Sequence, residues 1–249
     1  MDNKKTKLRL AGDEPIIEIT NLTKRFNGTA ALNKVNLEIP RGRIVGIMGA
    51  NGAGKTTLFK ILAGLYREYD GEVLIGGQKP GTYTKGITAF LPDEGGIPSN
   101  ITVNETIKFY KTFYYDFNEE KCRRLLSEMD LNPEKRPDEM SKGMIEKVML
   151  CLLLSRNAEL FVLDEPIAGV DIEARDRVLD AILNNYNSNG TMLISTHLVN
   201  EIERLFDSVI VIREGEIACY EDTDKLRELH GGSLEEALKT IFREGVRVV

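Results

Sequence analysis

The segment that most constrains the fold is residues 49–57, GANGAGKTT, which fits the pattern G-x-x-x-x-G-K-[ST]. It follows an apolar, β-branched run at residues 44–48, which predicts a buried strand. Apolar side chains then recur at helical spacing over residues 57–63, and Gly64 is a suitable stop for that helix. A strand, a glycine-rich loop and a helix in this order form the context in which the pattern marks a phosphate-binding loop.

The residues of this loop suit the binding of a nucleoside triphosphate. Backbone N–H groups must point at phosphate oxygens, and we expect a Cβ at Gly52 or Gly54 to obstruct that path. The next helix directs the positive end of its dipole at the same anion. Lys55 would hold the outer phosphates and the Thr56 hydroxyl would ligate Mg²⁺. A glycine-rich turn without a ligand is the alternative, which the Lys-Thr pair disfavours. The predicted nucleotide contacts are Gly49, Asn51, Gly52, Ala53, Gly54, Lys55, Thr56 and Thr57.

A second element with the same chemistry lies at residues 160–166, LFVLDEP, an apolar strand that ends in two carboxylates. We predict that Asp164 holds Mg²⁺ beside the phosphate loop, directly or through water. Glu165 would then point to the attacking water, in the position of a general base. The alternative is a strand that ends in solvated acids before a proline, which is less consistent with a phosphate loop in the same chain.

Composition limits the class of protein. The chain has 249 residues, of which 42% are hydrophobic and 29% charged, as in ordinary globular proteins. The formal net charge of −6 argues against a general nucleic-acid binder. Three widely spaced cysteines suggest reduced thiols and a cytoplasmic location. The longest apolar run is far short of the roughly 20 residues that span a bilayer, so we expect another chain to do any membrane crossing.

The coarse secondary structure predicts an α/β fold with a parallel sheet that is covered on both faces. The predicted strands are at residues 16–22, 35–39, 44–48, 71–77, 160–163, 191–195 and 208–212, with a turn at 23–28. In the middle of the chain, Thr102 and Glu105 form a capping box, and Asn118 and Ser141 are further helix caps. This block predicts a helical insertion. Later helices are predicted at residues 172–186 and 198–205, and residues 224–243 are predicted as mostly helical with a break at the glycine pair 231–232.

Together these motifs resemble the nucleotide-binding subunit of ATP-binding-cassette (ABC) transporters, over about residues 16–220. Residues 168–171 follow the acids as the family's D-loop does, and His197 matches its switch histidine. The resemblance implies a P-loop NTPase fold with a RecA-like parallel sheet core, an antiparallel β subdomain and an inserted helical subdomain. The implied division is a flexible leader at 1–14, ATPase core at 15–92, the helical signature subdomain at 93–158, core again at 159–221 and a C-terminal helical segment at 222–249.

The resemblance also assigns roles to individual residues. It implies catalytic roles for Glu165 and His197, with His197 contacting the γ-phosphate, although His197 could instead cap the next helix. Phe26 would stack on adenine, or else pack in the core at a strand end. Asp171 would contact a second copy of the cassette, cap a helix, or do both.

Two segments depart from the family pattern. The signature Leu-Ser-Gly-Gly-Gln is replaced by MSKGM at residues 140–144. Ser141 and Gly143 are retained and Lys142 adds a cation, so we expect the three to contact the ATP of a partner chain. Asp93 stands where the family carries a glutamine. It would ligate Mg²⁺ or swing away until a partner arrives, since an unshielded carboxylate repels phosphate by roughly 1–4 kcal/mol at 4 Å.

The resemblance implies ATP binding and hydrolysis for an exporter, similar to the bacterial bacitracin-resistance, multidrug or peptide-export branch of the family. The implied cofactors are ATP and Mg²⁺. The implied partners are a second nucleotide-binding subunit, most simply as a homodimer, and a separate integral membrane permease that docks near residues 93–101 and the helical insertion, on the inner face of the membrane. No nucleic-acid partner is expected. The alternatives are a cassette ATPase acting on ribosomes or DNA, and a GTP-binding switch, although no N-K-x-D guanine motif is present.

Overall fold

The computed structural model describes residues 14–93, 95–186, 190–229 and 232–244, so the predicted leader and the end of the C-terminal segment lie almost wholly outside the described residues. The strands are β1 Ile17–Phe26, β2 Thr29–Ile39, β3 Ile44–Met48, β4 Asp70–Ile75, β5 Thr88–Leu91, β6 Leu160–Asp164, β7 Thr191–Ser195, β8 Ser208–Arg213 and β9 Glu216–Asp222. The helices are α1 Lys55–Leu62, α2 Thr82–Ile87, α3 Val103–Phe113, α4 Glu119–Glu128, α5 Lys142–Leu154, α6 Ile172–Asn185, α7 Val199–Ile202, α8 Thr223–Leu229 and α9 Leu234–Glu244.

The larger sheet has the strand order β5-β6-β7-β3-β8-β9. All of its pairings are parallel except that of β8 with β9. Strands β3, β6 and β7 are buried at every position. Their continuous apolar sequences suit strands that are covered on both faces. The predicted α/β fold with a parallel core is confirmed.

The smaller sheet is antiparallel, in the order β2-β1-β4. The turn predicted at residues 23–28 is wrong in extent, because β1 continues to Phe26. Lys24, Arg25 and Phe26 pair with residues of β2, so cross-strand partners hold these residues in an extended conformation. The turn itself contains only Asn27 and Gly28, both with positive φ (47° and 85°), as a two-residue hairpin loop requires. Strand β9 was not predicted from the sequence.

Helices α3, α4 and α5 form the helical block in the middle of the chain, within the segment predicted as the signature subdomain. The three predicted caps are confirmed. The Thr102 hydroxyl accepts a hydrogen bond from the Glu105 amide at 3.2 Å. In return, the Glu105 carboxylate accepts one from the Thr102 amide, which completes the capping box. Asn118 caps α4 at 2.9 Å, and Ser141 caps α5 through the Met144 amide at 3.3 Å.

Two hydrophobic cores lie on opposite faces of the larger sheet. One packs the helical block and α6 against residues such as Phe161 and Met192, and the other packs α1 and the antiparallel sheet against Val162 and Leu193. Alternate residues of the same strand thus serve different cores. The carboxyl ends of β6, β7 and β3 are therefore held side by side, where loops can build one site. Within the described ranges, no helix has both the length and the apolar character needed to cross a membrane.

Candidate active site

The phosphate loop connects β3 to α1, and two of its glycines are required by close backbone contacts. A Cβ at Gly49 would lie 2.5 Å from the carbonyl oxygen of Ile212, and one at Gly54 would lie 2.6 Å from that of Ala31. At Gly52 a Cβ would meet no protein atom within 4 Å, so the obstruction expected at this position is not seen in the packing of the chain. The requirement at Gly52 comes from its backbone, which has φ +80°.

Lys55 is the first residue of α1 and its side chain turns back over the loop. Its Nζ donates hydrogen bonds to the carbonyl oxygens of Gly49 at 2.7 Å and Ala50 at 3.3 Å. Only 9% of the residue is exposed, so its ammonium is held at the loop rather than in bulk solvent. A cation at this place, at the positive end of α1, is suited to bind an anion.

Asp164 ends β6 opposite Ser195, its pairing partner at the end of β7. The Ser195 hydroxyl donates to Oδ1 of Asp164 at 2.5 Å. Oδ2 is buried and has no hydrogen-bond partner. An unpaired buried carboxylate oxygen is costly, and a bound cation would satisfy it. Among the described residues no three acidic, histidine or cysteine side chains come close enough to hold a metal by themselves. Such a site would need phosphate oxygens to complete the coordination, which is usual for Mg²⁺.

Glu165 follows in a left-handed backbone conformation, with φ +53°. Its amide donates to Oγ of Ser195 at 3.0 Å and to the Ser195 carbonyl at 3.2 Å. Its Oε2 lies 2.9 Å from Nδ1 of His197 and accepts a hydrogen bond from the His197 amide at 3.3 Å. A strained residue that is fixed in this way is typical of an active site. Ser195 was not predicted as a site residue, although its place at the end of the apolar run at residues 191–195 could have indicated one.

One cavity of about 310 Å³ brings together most of the predicted residues. It is lined by Asn51, Gly52, Ala53, Gly54, Lys55, Thr56, Thr57, Asp93, Asp164 and Glu165. Asp93 therefore lies at the same cavity as the other two acids. His197 does not line this cavity but reaches it through Glu165.

Phe26 lies at the end of β1 and is 41% exposed, so it is not packed in the core. Its ring contacts that of Tyr66 edge-on, with the centroids 5.5 Å apart. The Nζ of Lys24 lies 5.0 Å from the Phe26 centroid and 5.4 Å from that of Tyr66. Tyr66 could not be predicted as a neighbour of Phe26, because the contact depends on the packing of the segment after α1.

The signature segment packs against the D-loop of its own chain. A Cβ at Gly143 would lie 2.6 Å from the carbonyl oxygen of Gly169, so only glycine fits there without moving the D-loop. Lys142 has a side chain that is 76% exposed and lies 3.7 Å from Glu146. Asp171 occupies the N-cap position of α6 but makes no side-chain capping hydrogen bond.

A model of the ABC transporter family matches residues 32–168, which is more than half of the chain. The chain belongs to the ABC transporter family. It is an ATPase subunit that binds nucleotide, as the sequence motifs predicted.

Relatives of this ABC protein include transport subunits for several kinds of substrate. The bacitracin transport ATP-binding protein BcrA of Enterococcus faecalis is 31% identical over 87% of this chain and 71% of its own length. The lantibiotic transport ATP-binding protein SrtF of Streptococcus pyogenes is 30% identical over 88% and 97%. An importer subunit, the ribose import protein RbsA of Caldanaerobacter subterraneus, is 29% identical over 90% of this chain and 49% of its own.

The fold of the ABC protein also matches solved structures. The structure of an ATP-binding subunit of an ABC transporter superposes with a TM-score of 0.82 at 27% identity, covering 91% of this chain and 99% of that one. A dimeric ATP-binding cassette bound to ADP and phosphate superposes with a TM-score of 0.72 at 23% identity, covering 83% and 98%. These likenesses confirm the predicted P-loop NTPase architecture.

Proposed function

We propose that this chain is the ATPase subunit of an exporter whose membrane-spanning part is a separate permease. The observation that carries the proposal is Glu165, which lines the phosphate-loop cavity. Its backbone amide is held by Ser195 and its carboxylate by His197. The names of the bacitracin and lantibiotic relatives favour export of peptide-like compounds. An importer subunit is nearly as similar to this chain, so export, rather than import, is itself part of what we propose.

In the proposed site, the loop amides and Lys55 hold the outer phosphates of ATP. Thr56 and Asp164 would hold Mg²⁺, and the bound ion would neutralise part of the phosphate charge. Glu165 accepts the proton of the attacking water, and the contact with His197 keeps its carboxylate oriented. His197, whose side chain is 62% exposed, can turn toward the γ-phosphate. Phe26, beside Tyr66, provides the aromatic surface for adenine.

The signature residues act on a second copy of the chain. Ser141, Gly143 and Asp171 do not line the phosphate-loop cavity of their own chain. We propose that they, with Lys142, contact the ATP held by a partner in a head-to-tail homodimer, where the N-terminus of α5 faces the anion. Related cassettes have been solved as dimers, which supports this arrangement.

We predict that Asp93→Gln shifts the Mg²⁺ dependence of ATP binding. With Mg²⁺ present, loss of a carboxylate near the metal should raise the half-saturating Mg²⁺ concentration about 10-fold. Without Mg²⁺, the variant should bind ATP more tightly than the wild type, because a negative charge facing the phosphates is removed. Titration of a fluorescent ATP analogue, with Mg²⁺ and with EDTA, measures both effects.

The matched control for this change is Glu120→Gln, which removes one exposed acid on α4. It should leave both titrations unchanged, since surface charges far apart are screened by salt. If Asp93→Gln and Glu120→Gln give the same curves as the wild type, Asp93 has no part in metal or phosphate binding.

The permease is proposed to dock on the outer face of α3. Val103, Thr106 and Ile107 face the core, whereas Phe109 and Phe113 are 53% and 66% exposed. Their ring centroids are 4.3 Å apart, so they form one aromatic surface. Exposed aromatic pairs of this kind are typical of protein interfaces. Because α3 follows the loop at residues 93–101, such docking would place the membrane subunit near Asp93 and would hold the protein at the cytoplasmic face of the membrane.

This proposal predicts that replacing both Phe109 and Phe113 by Ser separates the ATPase from its permease. The fraction that sediments with membranes of the native cells should fall at least about 10-fold, since buried aromatic anchors dominate interface energies. Tyr83→Ser is the control, because Tyr83 is 59% exposed but lies on α2. Crosslinking of the wild type should also yield a polytopic membrane protein. Crosslinking to ribosomal proteins or DNA instead would overturn the transport function.

A further inference from the structure

The segment that carries His197 is held weakly by its own hydrogen bonds. Helix α7, which follows it, has four residues and no side-chain cap. A helix this short is unstable without tertiary packing. Within the segment, the Leu198 amide donates to the Thr196 hydroxyl at 2.9 Å and the Glu201 amide to the Leu198 carbonyl oxygen at 3.2 Å. Its contacts with other segments include the bond from the His197 amide to Glu165 and an ion pair of Glu201 with Arg175 of α6 at 2.5 Å. The position of the His197 ring beside Glu165 therefore depends on what packs against residues 196–202.

Helix α9 supplies this packing. Its apolar face, Leu234, Ala237, Leu238 and Ile241, is buried in the same core as Ile194 and Ile202. Leu238, Lys239 and Phe242 also line a cleft of about 300 Å³ whose other wall contains Thr196, His197 and Val199, together with Gly49 and Ala50 of the phosphate loop. The C-terminal helix thus lies directly behind the switch histidine.

A polar contact fixes α9 to α7. Nδ2 of Asn200 donates a hydrogen bond to Oε2 of Glu235 at 2.6 Å. The other oxygen of Glu235 lies 2.6 Å from Nζ of Lys239, one turn further along α9. Hydrogen bonds from Lys239 and Asn200 lower the pKa of Glu235, so its carboxylate is ionised at neutral pH. A charge-assisted bond of this kind is stronger than a neutral one.

We infer that α9 positions the switch segment for catalysis, and that Glu235, acting through Asn200, is a positioning residue for His197. The inference rests on the proposed roles of His197 and Glu165. It gives the C-terminal segment a function in turnover: a displacement of α9 would loosen residues 196–202 and so release the histidine from the Glu165 carboxylate.

The test is a set of variants measured by steady-state ATP hydrolysis. Glu235→Ala should lower kcat about 5- to 10-fold, as expected for loss of one charge-assisted hydrogen bond, and leave the KM for ATP within about twofold. Asn200→Ala should reproduce this loss, and the double variant should be no worse than either single one. Glu235→Gln retains an acceptor for Asn200 and should restore most of the rate. Glu236→Ala is the matched control, because it removes an exposed acid from the same helical turn.

A rise in KM with unchanged kcat would overturn the inference, since α9 would then act on the phosphate loop. Equal effects of Glu235→Ala and Glu236→Ala would overturn it too, as would a Glu235→Ala effect that Glu235→Gln does not rescue. His197→Ala separates this failure from that of the site itself. If His197→Ala abolishes turnover while Glu235→Ala does not change it, only the role of α9 is wrong. If His197→Ala keeps the wild-type rate, the proposed role of His197 has failed.

Discussion

We expect Glu165→Gln to hydrolyse ATP about 10²- to 10⁴-fold more slowly than the wild type, the usual contribution of a general base. The amide has nearly the same shape as the carboxylate, so the backbone contacts of residue 165 with Ser195 are kept. It cannot accept the proton of an attacking water, however. ATP binding should persist, because Lys55 and the loop amides are unchanged, and the ATP-bound protein should accumulate as a dimer. Phosphate release at saturating ATP and gel filtration with and without ATP measure these outcomes.

The control for the Glu165 variant is Glu173→Gln, which makes the same chemical change at an exposed position in the first turn of α6. It should turn over at the wild-type rate. Wild-type turnover by Glu165→Gln would show that another group activates the water. A slow variant that stays monomeric with ATP would instead retain the base assignment and contradict the proposed homodimer.

The nucleotide-binding part of the fold could be predicted from the sequence because its signals are local. Strands β3 and β6 begin as continuous apolar runs. The loop at 49–54 directly follows β3, and the pair Asp164 and Glu165 lies at the end of β6, so each motif is contiguous with its strand. Parallel pairing then brings these loops to one edge of the sheet. The helix caps at Thr102 and Ser141 are equally local, since each involves an amide three residues away.

The features that the sequence did not reveal depend on contacts between distant segments. Residues 23–26 have a turn-like composition, yet pairing with β2 extends them into a strand. Ser195 supports both acids only because β6 and β7 are neighbours in register. Tyr66 meets Phe26, and α9 meets α7, through packing that no spacing along the chain encodes. The same is true of Gly143, whose close approach to Gly169 gives the signature glycine a role within its own chain.

Arg156 is the most consequential of these unpredicted contacts, because it joins the helical block to the sheet. It follows α5 and is 3% exposed. Its guanidinium pairs with both carboxylate oxygens of Asp116, each at 3.2 Å. It also donates to the carbonyl oxygens of Thr88, at 2.7 Å, and of Gly86. The guanidinium carbon lies 3.9 Å from the centroid of the Tyr114 ring.

We expect Arg156→Met to lower the free energy of unfolding by about 3–5 kcal/mol, because it leaves the Asp116 carboxylate buried without a cation. The stability of Arg156→Lys should lie between that of Arg156→Met and the wild type. Lysine keeps the positive charge but lacks the planar guanidinium that can bond to both oxygens of a carboxylate. Adding Asp116→Leu to Arg156→Met should recover part of the loss, because no buried charge then lacks a partner. Urea unfolding at neutral pH measures all of these variants.

Arg177→Met is the matched control, since Arg177 on α6 also bridges to the helical block, through Asp130 at 3.1 Å, but with side chains that are 55% and 83% exposed. Its loss should change the free energy of unfolding by less than about 1 kcal/mol, because solvent already screens this pair. If the two Met variants are equally stable, the buried guanidinium does not hold the helical block to the sheet. A large loss confined to Arg156→Met would show that burial, rather than the number of ion pairs, fixes the helical block relative to the larger sheet.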